Sequence, residues 1–409
     1  MTTTYHPATT VRPSAAPALG GVADKVTAAD RQKISMPGTD RAWPVEATLA
    51  KALRCAPAVG ITRLADVTRL DRIGIPTHQA VRPASTTLSV SQGKGTSHRL
   101  AQVSALMESI EYWHAENPAT GSFAGTIREL RPALTYDPYT LPQVENSLLH
   151  DGLPLRWTTA RRLPDGRAVP VPYAMVELGF TDPTGWRPRA FRETTTGLAS
   201  GNTFVEATVH GLYEVLERDA TSRAHRLRVP GTRFDPRALG SPAVDGLVDR
   251  FEAAEVTVDL RILPSPAGLP VVSARIASED YQIVAAGYGC HLAAEIATTR
   301  ALTEAAQSRL TAISGARDDL PRAMYRSVSR MMPTPLTPGR IQPPPLPPLP
   351  PQISGARSHQ NLLDDLADLN ERCMTVFSAP LLVDLTRPEI GIPVVRVIVP
   401  GCELNEGAE

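Results

Sequence analysis

The sequence predicts an α/β (α+β) fold, one large domain of mixed sheets and helices. Three observations carry this. Three well-separated segments repeat apolar and glutamate positions at helical spacing, near residues 104–111, 202–218 and 300–307. Runs of β-branched residues, VTVDLRILP, LPVVSARIAS and YQIVAAGYG, are separated by turn signals and read as strands. The length of 409 residues, 42% hydrophobic and 21% charged, suits one large core or two smaller ones, and no internal repeat is visible.

Taken in order, residues 1–45 are rich in Thr, Pro and Ala without a sustained period, and are expected to be flexible. A short helix is expected over 46–57, a β-prone stretch over 74–82 and a short strand at TTLSV, 86–90. The first glutamate helix follows. Residues 120–190 are punctuated by proline, with strands expected at 154–162 and 169–178. The second glutamate helix is expected over 203–221, then the three β-branched runs, and the third glutamate helix over 291–314. Strands near 374–384 and 392–398 close the domain. The stretch 333–352, PTPLTPGRIQPPPLPPLPPQ, is expected to run as a semi-rigid polyproline II loop inside the domain. Residues 404–409 form a tail.

The glutamate blocks are the chemically informative feature. Ser104, Glu108 and Glu111 stand at i, i+4 and i+7, which is one helix face. From Glu206, residues Glu214 and Glu217 fall roughly 80° and 20° around the helix, so the three share a stripe, with Asn202 four residues ahead and Arg218 beside it. Arg300, Glu304 and Gln307 repeat the i, i+4, i+7 pattern. His210 lies on the Glu206 stripe, where a satisfied core histidine competes with a supporting role behind the site. The neighbours of these glutamates are apolar, so the helices pack inside a domain. Two like charges 4 Å apart repel by about 1 kcal/mol in water and several times that near protein. Converging carboxylates therefore need a cation, and the oxygen-ligand habit of Mg²⁺, carried by a nucleotide, supplies it. The competing account is three ordinary solvated glutamate faces.

Other features bound the function. Lysine occurs only at 25, 33, 51 and 94, and Lys94 sits between two glycines in SQGKGTS. A glycine-flanked cation ahead of a helix suits a phosphate, although G-K-G is not a Walker P-loop and a plain turn lysine competes. The basic and acidic residues balance at 42 each, which argues against nucleic acid or an anionic membrane as partner. No apolar run reaches the ~18 residues of a membrane helix, the N-terminus lacks a secretory pattern, and a cytoplasmic location is expected. Cys55, Cys290, Cys373 and Cys402 are isolated, so no zinc ribbon or redox pair is expected, and no residue is marked as a catalytic nucleophile.

The three blocks together resemble the YcaO family. Its nucleotide site is built from Ser-x3-Glu-x2-Glu, Asn-x3-Glu-x7-Glu-x2-Glu-Arg and Arg-x3-Glu, and this chain matches all of them. The strings SVSQGKG (89–95), GLASGNT (197–203), GYGCHLAAEIATTRALTEAAQSRL (287–310), SGARDD (314–319) and GIPVVRVIVPG (391–401) resemble the family as well. The likeness covers roughly 45–403 and makes 46–403 the domain. It implies carboxylate-bearing helices around an ATP site with Mg²⁺. Glu108, Glu111, Glu214, Glu217 and Glu304 would hold magnesium. Lys94, Ser104, Asn202, Glu206, Arg218, Arg300 and Gln307 would orient the nucleotide.

The implied chemistry is activation of a peptide backbone amide: a nucleophile adds to the carbonyl and the oxyanion takes the γ-phosphoryl group. Azoline-forming members end in a Pro-x-Pro-x-Pro tail, whereas this chain ends PGCELNEGAE. Thioamide formation with an external sulfur donor is therefore the first expectation, and azoline or macroamidine formation the second. The expected partners are a peptide or protein substrate and a separate TfuA-type or E1-like, leader-binding protein, and a homodimer stays open. A non-catalytic nucleotide- or peptide-binding scaffold, or an unrelated amide ligase, is the alternative from another class.

Overall fold

The computed structural model describes residues 19–179, 189–281, 283–316, 349–354 and 356–404. The chain opens with the hairpin β1 (Ile34–Met36) and β2 (Thr39–Arg41), followed by helix α1 (Val45–Cys55). Strands β3 (Arg63–Asp66), β4 (Thr77–Val81) and β5 (Val90–Lys94) form a three-stranded antiparallel sheet and lead into α2 (His98–Glu116). Next come β6 (Phe123–Gly125), the one-turn α3 (Ile127–Leu130), β7 (Leu155–Arg162), β8 (Ala168–Pro172), β9 (Leu198–Ser200) and the long α4 (Phe204–Leu227). A four-stranded antiparallel sheet joins β10 (Thr232–Arg233), β11 (Thr257–Leu263), β12 (Val271–Ala277) and β13 (Ala285–Cys290), with α5 (Pro242–Ala253) between its first two strands. After α6 (Ala294–Ser314) come α7 (Pro351–Ser354), α8 (Leu362–Val376), β14 (Leu381–Asp384) and β15 (Val394–Ile398). The six-stranded sheet runs β6-β7-β14-β15-β9, with β8 on β7.

Each glutamate helix lies on the sheet that precedes it. β5 and β13 reach their helices at backbone contact, which only glycine permits. A Cβ on Gly93 would lie 2.0 Å from the Ala105 nitrogen, and one on Gly287 would lie 2.2 Å from the Ala305 nitrogen. Gly93 thus serves strand–helix packing rather than a phosphate cradle. Beneath the helices, apolar side chains form three clusters. One includes Leu106, Ile110, Val169 and Val394, one Leu212, Leu216, Val395 and Leu366, and one Phe251, Ile276, Ala301 and Leu302.

Several expected boundaries shift, for local reasons. TTLSV is not a strand before Val90, because the Thr87 N–H donates to Glu116 Oε1 (3.1 Å), whose carboxylate also pairs with Arg82 (2.5 and 2.8 Å). The strand expected over 169–178 stops at Pro172, past two prolines that cannot donate to a ladder, and turns into a 3₁₀ segment at Tyr173–Met175. The strand expected from 374 begins at Leu381, since α8 runs to Val376. Helices α5 and α8 were not expected, yet both carry apolar residues at i, i+3 and i+4 and standard starts, Ser241-Pro242 and the Asn361 cap.

The largest correction concerns the N-terminal segment. Residues 1–18 lie outside the described residues, but 19–45 are folded rather than unstructured. They are tied down by buried polar contacts, which leave no apolar period in the sequence. Asp30 is fully buried and accepts from Thr203 Oγ1, and Lys33 is buried between Asp40 (3.3 Å) and Asp365. The Ala42 N–H donates to Glu206 Oε2 at 2.8 Å. Of the proline-rich stretch, 333–348 lies outside the described residues, as do 405–409 of the tail.

Candidate functional site

The three glutamate helices converge on one cavity of about 640 Å³. α2 contributes Ser104, Glu108 and Glu111; α4 contributes Glu206, His210, Glu214, Glu217 and Arg218; α6 contributes Arg300, Glu304 and Gln307; β5 contributes Lys94. Of the twelve residues proposed from the sequence for nucleotide or metal, eleven line this cavity. The exception is Asn202, which stands behind Glu206. Its Nδ2 donates to both Glu206 oxygens (3.2 and 3.1 Å) and its Oδ1 accepts from Thr48 (2.8 Å). Asn202 therefore orients a carboxylate rather than facing a ligand.

The charges do not balance. Six glutamates line the cavity against four cations, Arg41, Lys94, Arg218 and Arg300, a formal excess of two negative charges. The cations are also unevenly placed. Lys94 Nζ is ion-paired with Glu304, and the Tyr288 N–H donates to the same carboxylate at 3.3 Å. Burial acts to raise Glu304, but Lys94 and Arg218 outweigh it and hold the carboxyl below its ordinary range. Its neighbour Glu217 goes the other way, raised by burial and by Glu304 itself against the pull of Arg300, Arg218 and Lys94.

Across the cavity, Glu111 makes no ion pair of its own and feels Arg41 only as a weaker, longer-range charge. Its Oε1 accepts from the Ser200 N–H (2.7 Å) and hydroxyl (2.5 Å). Burial, with repulsion from Glu214 and Glu108, still pushes it up to about 8. Burial likewise raises Glu214 to about 7, with Glu217 adding and Arg218 opposing. Glu108 is aimed by the Gln92 N–H, which donates to Oε2 at 2.7 Å. A group of carboxylates driven toward protonation by burial and by one another fits a hard divalent cation. The residues present therefore suit Mg²⁺ with a polyphosphate.

Some contributors were not legible as site residues. Arg41 enters from the hairpin, 3.7 Å from Glu206 Oε1, out of the segment expected to be flexible. Ser200 and Gln92 lie in the family-like strings GLASGNT and SVSQGKG but were not singled out, since they act through a backbone N–H and, for Ser200, a hydroxyl. His210 resolves toward the site: it lines the cavity, and its Nε2 accepts from Arg300 Nη2 at 3.2 Å. Burial, then Arg300, Arg41 and Lys94, lower it well below its ordinary value, so it stays neutral and able to accept. Cys290 is fully buried, and that burial raises its thiol well above normal, the opposite of an activated nucleophile.

A family profile described as YcaO cyclodehydratase, ATP- and Mg²⁺-binding, matches residues 92–403. The chain belongs to the YcaO family. An uncharacterised protein of Mycobacterium tuberculosis (strain H37Rv) is 41% identical over 401 residues, covering 95% of this chain and 87% of the relative. A protein of Rhizobium leguminosarum bv. trifolii, described as uncharacterised and in the tfuA 3′ region, is 33% identical over 365 residues, covering 85% and 84%. Among solved structures, YcaO from Methanopyrus kandleri bound with AMPPCP and Mg²⁺ aligns with a TM-score of 0.68 at 24% identity, covering 91% of this chain and 94% of that one. A heterocyclase in complex with substrate and cofactor aligns with a TM-score of 0.75 at 20% identity. It covers 93% of this chain, which spans about half (54%) of the heterocyclase. The mixed sheet-and-helix fold is thus the YcaO fold, and ATP and Mg²⁺ are the cofactors of the family. No described helix is long and apolar enough to cross a membrane.

Proposed function

We propose that this YcaO protein uses Mg·ATP to activate a peptide backbone amide for attack by an external sulfur nucleophile, leaving a thioamide in a ribosomally made peptide or protein. The observation that carries the ATP-dependent part is the convergence of six glutamates and four cations in one cavity. Bound Mg·ATP supplies the phosphoryl group that turns the amide oxygen into a leaving group. Glu108, Glu111, Glu214, Glu217 and Glu304 would hold the magnesium, directly or through water. Lys94, Ser104, Glu206, Arg218, Arg300 and Gln307 would orient the nucleotide, with Asn202 fixing Glu206 and His210 fixing Arg300. Arg41 joins this group. The half-buried cations would neutralise developing phosphate charge with little reorganisation, which is the main service a protein gives phosphoryl transfer.

The preference for sulfur, and for a TfuA-type partner, is supported by the Rhizobium relative, whose description places it in the tfuA 3′ region. The second reading, azoline formation by a Cys, Ser or Thr of the substrate, is favoured by the family description as cyclodehydratase.

Thermal unfolding with and without Mg·ATP, for the native chain and Glu108→Gln, tests the site. Ligand at about 100 times its Kd should stabilise by roughly 2.7 kcal/mol, only with magnesium and not in the variant. A native chain that fails to respond even with a TfuA-type partner present would sink the reading. Intact mass of a peptide coexpressed with both proteins then separates oxygen-to-sulfur exchange, which gains mass, from dehydration, which loses it.

A further inference from the structure

Asp66, His78 and His98 meet where the β3–β4–β5 sheet borders the start of α2, and none of the three lines the glutamate cavity. They come from three elements. Asp66 ends β3, His78 is its direct cross-strand partner on β4, and His98 is the first residue of α2. His78 Nε2 lies 3.2 Å from His98 Nδ1, His98 Nδ1 lies 3.5 Å from Asp66 Oδ2, and His78 Nε2 lies 3.9 Å from Asp66 Oδ1. Around a tetrahedral ion with ligand distances of about 2.0–2.1 Å, neighbouring donor atoms stand roughly 3.3 Å apart. The two edges that share His98 Nδ1, 3.2 and 3.5 Å, bracket that value, and one atom from each residue lies within 4.8 Å of the other two.

We propose that Asp66, His78 and His98 form a site for a borderline divalent metal ion, with Zn²⁺ the best fit. The donor set decides the metal. Two imidazoles and one carboxylate suit zinc and its first-row neighbours, whereas Mg²⁺ takes oxygen ligands in octahedral geometry. The two rings are nearly perpendicular, at 89°, so their facing nitrogens converge from different directions.

The ligands are also held. Asp66 Oδ1 accepts from the Thr68 N–H at 2.9 Å, fixing the carboxylate as an outer partner fixes a metal ligand. The His78 side chain is 5% exposed and its Nδ1 has no hydrogen-bond partner, so its only engaged nitrogen is the one facing the site. Asp66 and His98 are about half exposed, at 48% and 56%, which leaves a fourth position open to water. An ion here pins the first turn of α2 to the sheet, and α2 carries Ser104, Glu108 and Glu111 into the nucleotide cavity.

The test titrates Co²⁺, as a visible stand-in for Zn²⁺, into the untagged, metal-stripped full-length chain with excess Mg²⁺ present. The expected result is stoichiometric uptake with the visible bands of a four-coordinate nitrogen–oxygen site, no thiolate charge-transfer band, and displacement by Zn²⁺. His98→Ala alters an exposed side chain and should lower the affinity at least ~10-fold while leaving the circular dichroism spectrum unchanged. Glu111→Gln should bind Co²⁺ like the native chain. Absence of stoichiometric uptake overturns the proposal, and so does uptake that survives both His98→Ala and Asp66→Asn. Uptake lost in Glu111→Gln instead would assign the ion to the carboxylate cavity and equally overturn it.

Discussion

The two walls of the glutamate-lined cavity carry the same residue type to opposite electrostatic ends. On the α6 wall, Glu304 faces Lys94 and Arg218 and is held ionised below the ordinary carboxylate range. On the α2 wall, Glu111 is buried against Glu214 and Glu108 and is pushed up to about 8. Both glutamates stand on long helices laid on glycine-bearing strands, so neither helix nor burial makes the difference. The placement of the cations does. One wall is complete as folded, and the other holds carboxyls that keep their protons until a bound cation displaces them.

The comparison can be broken most directly at Glu111. Glu111→Gln should abolish magnesium-dependent stabilisation by ATP and cut turnover on the order of 10²–10³-fold. The metal-free protein should be at least as stable as the native chain, because a strained buried carboxyl has gone. Loss of metal-free stability in urea would show that Glu111 is a structural acid.

Next in size is the complementary change on the other wall. Lys94→Met should destabilise the metal-free protein by about 2 kcal/mol, since Glu304 loses its charged partner while staying largely buried. Urea midpoints at pH 7 and pH 5 would check this, the loss shrinking at the lower pH as Glu304 becomes protonated. An equal loss at both values would mean that Lys94 acts through packing alone.

A third contrast lies in pH. Glu111 and Glu214, at about 8 and 7, keep protons in the folded state that the unfolded chain releases near 4.5. The folded state thus binds more protons between about 4.5 and 8, so their contribution to metal-free stability falls as pH rises through that window. Magnesium must displace the same protons, so its affinity should rise from pH 6 to pH 8 with proton release. Calorimetry in two buffers of different ionisation heat measures that release, and none at pH 7 would contradict the assignment of these carboxyls to the metal.

The smallest effect is expected at Arg41. Its separation from Glu206 is 3.7 Å, and Arg41→Ala should weaken nucleotide binding only about 2- to 5-fold, the ~0.5–1 kcal/mol scale of a single ion pair. A larger loss would mean that the N-terminal hairpin is a principal wall of the pocket.

The distribution of what could be read in advance follows from the range of each signal. Ser104, Glu108 and Glu111, or Arg300, Glu304 and Gln307, share a helix turn with their neighbours, so spacing alone puts them on one face. Helices α5 and α8 were equally readable, from Val244, Leu247, Val248 and Phe251 and from Leu362, Leu366, Leu369 and Cys373, but no chemistry drew attention to them. Arg41 gave no comparable sign, and Ser200 lay in the GLASGNT string with nothing to mark it individually. A three-residue strand has too few positions to show a period, and their partners lie 165 and 89 residues away. The lack of an apolar period over 19–45 likewise hides Asp30, Lys33 and Asp40, whose side chains are buried through polar rather than apolar contacts.

The sequence by itself determined the three carboxylate helices, the α/β (α+β) class and the family, because helical period and turn chemistry are local properties of the chain. Only the tertiary structure decided that Asn202 stands behind Glu206, that Gly93 packs a helix, and that Arg41 reaches the cavity. It also decided which glutamates receive a cation, since a carboxyl's charge state depends on burial and on neighbours that the fold brings together from distant parts of the chain.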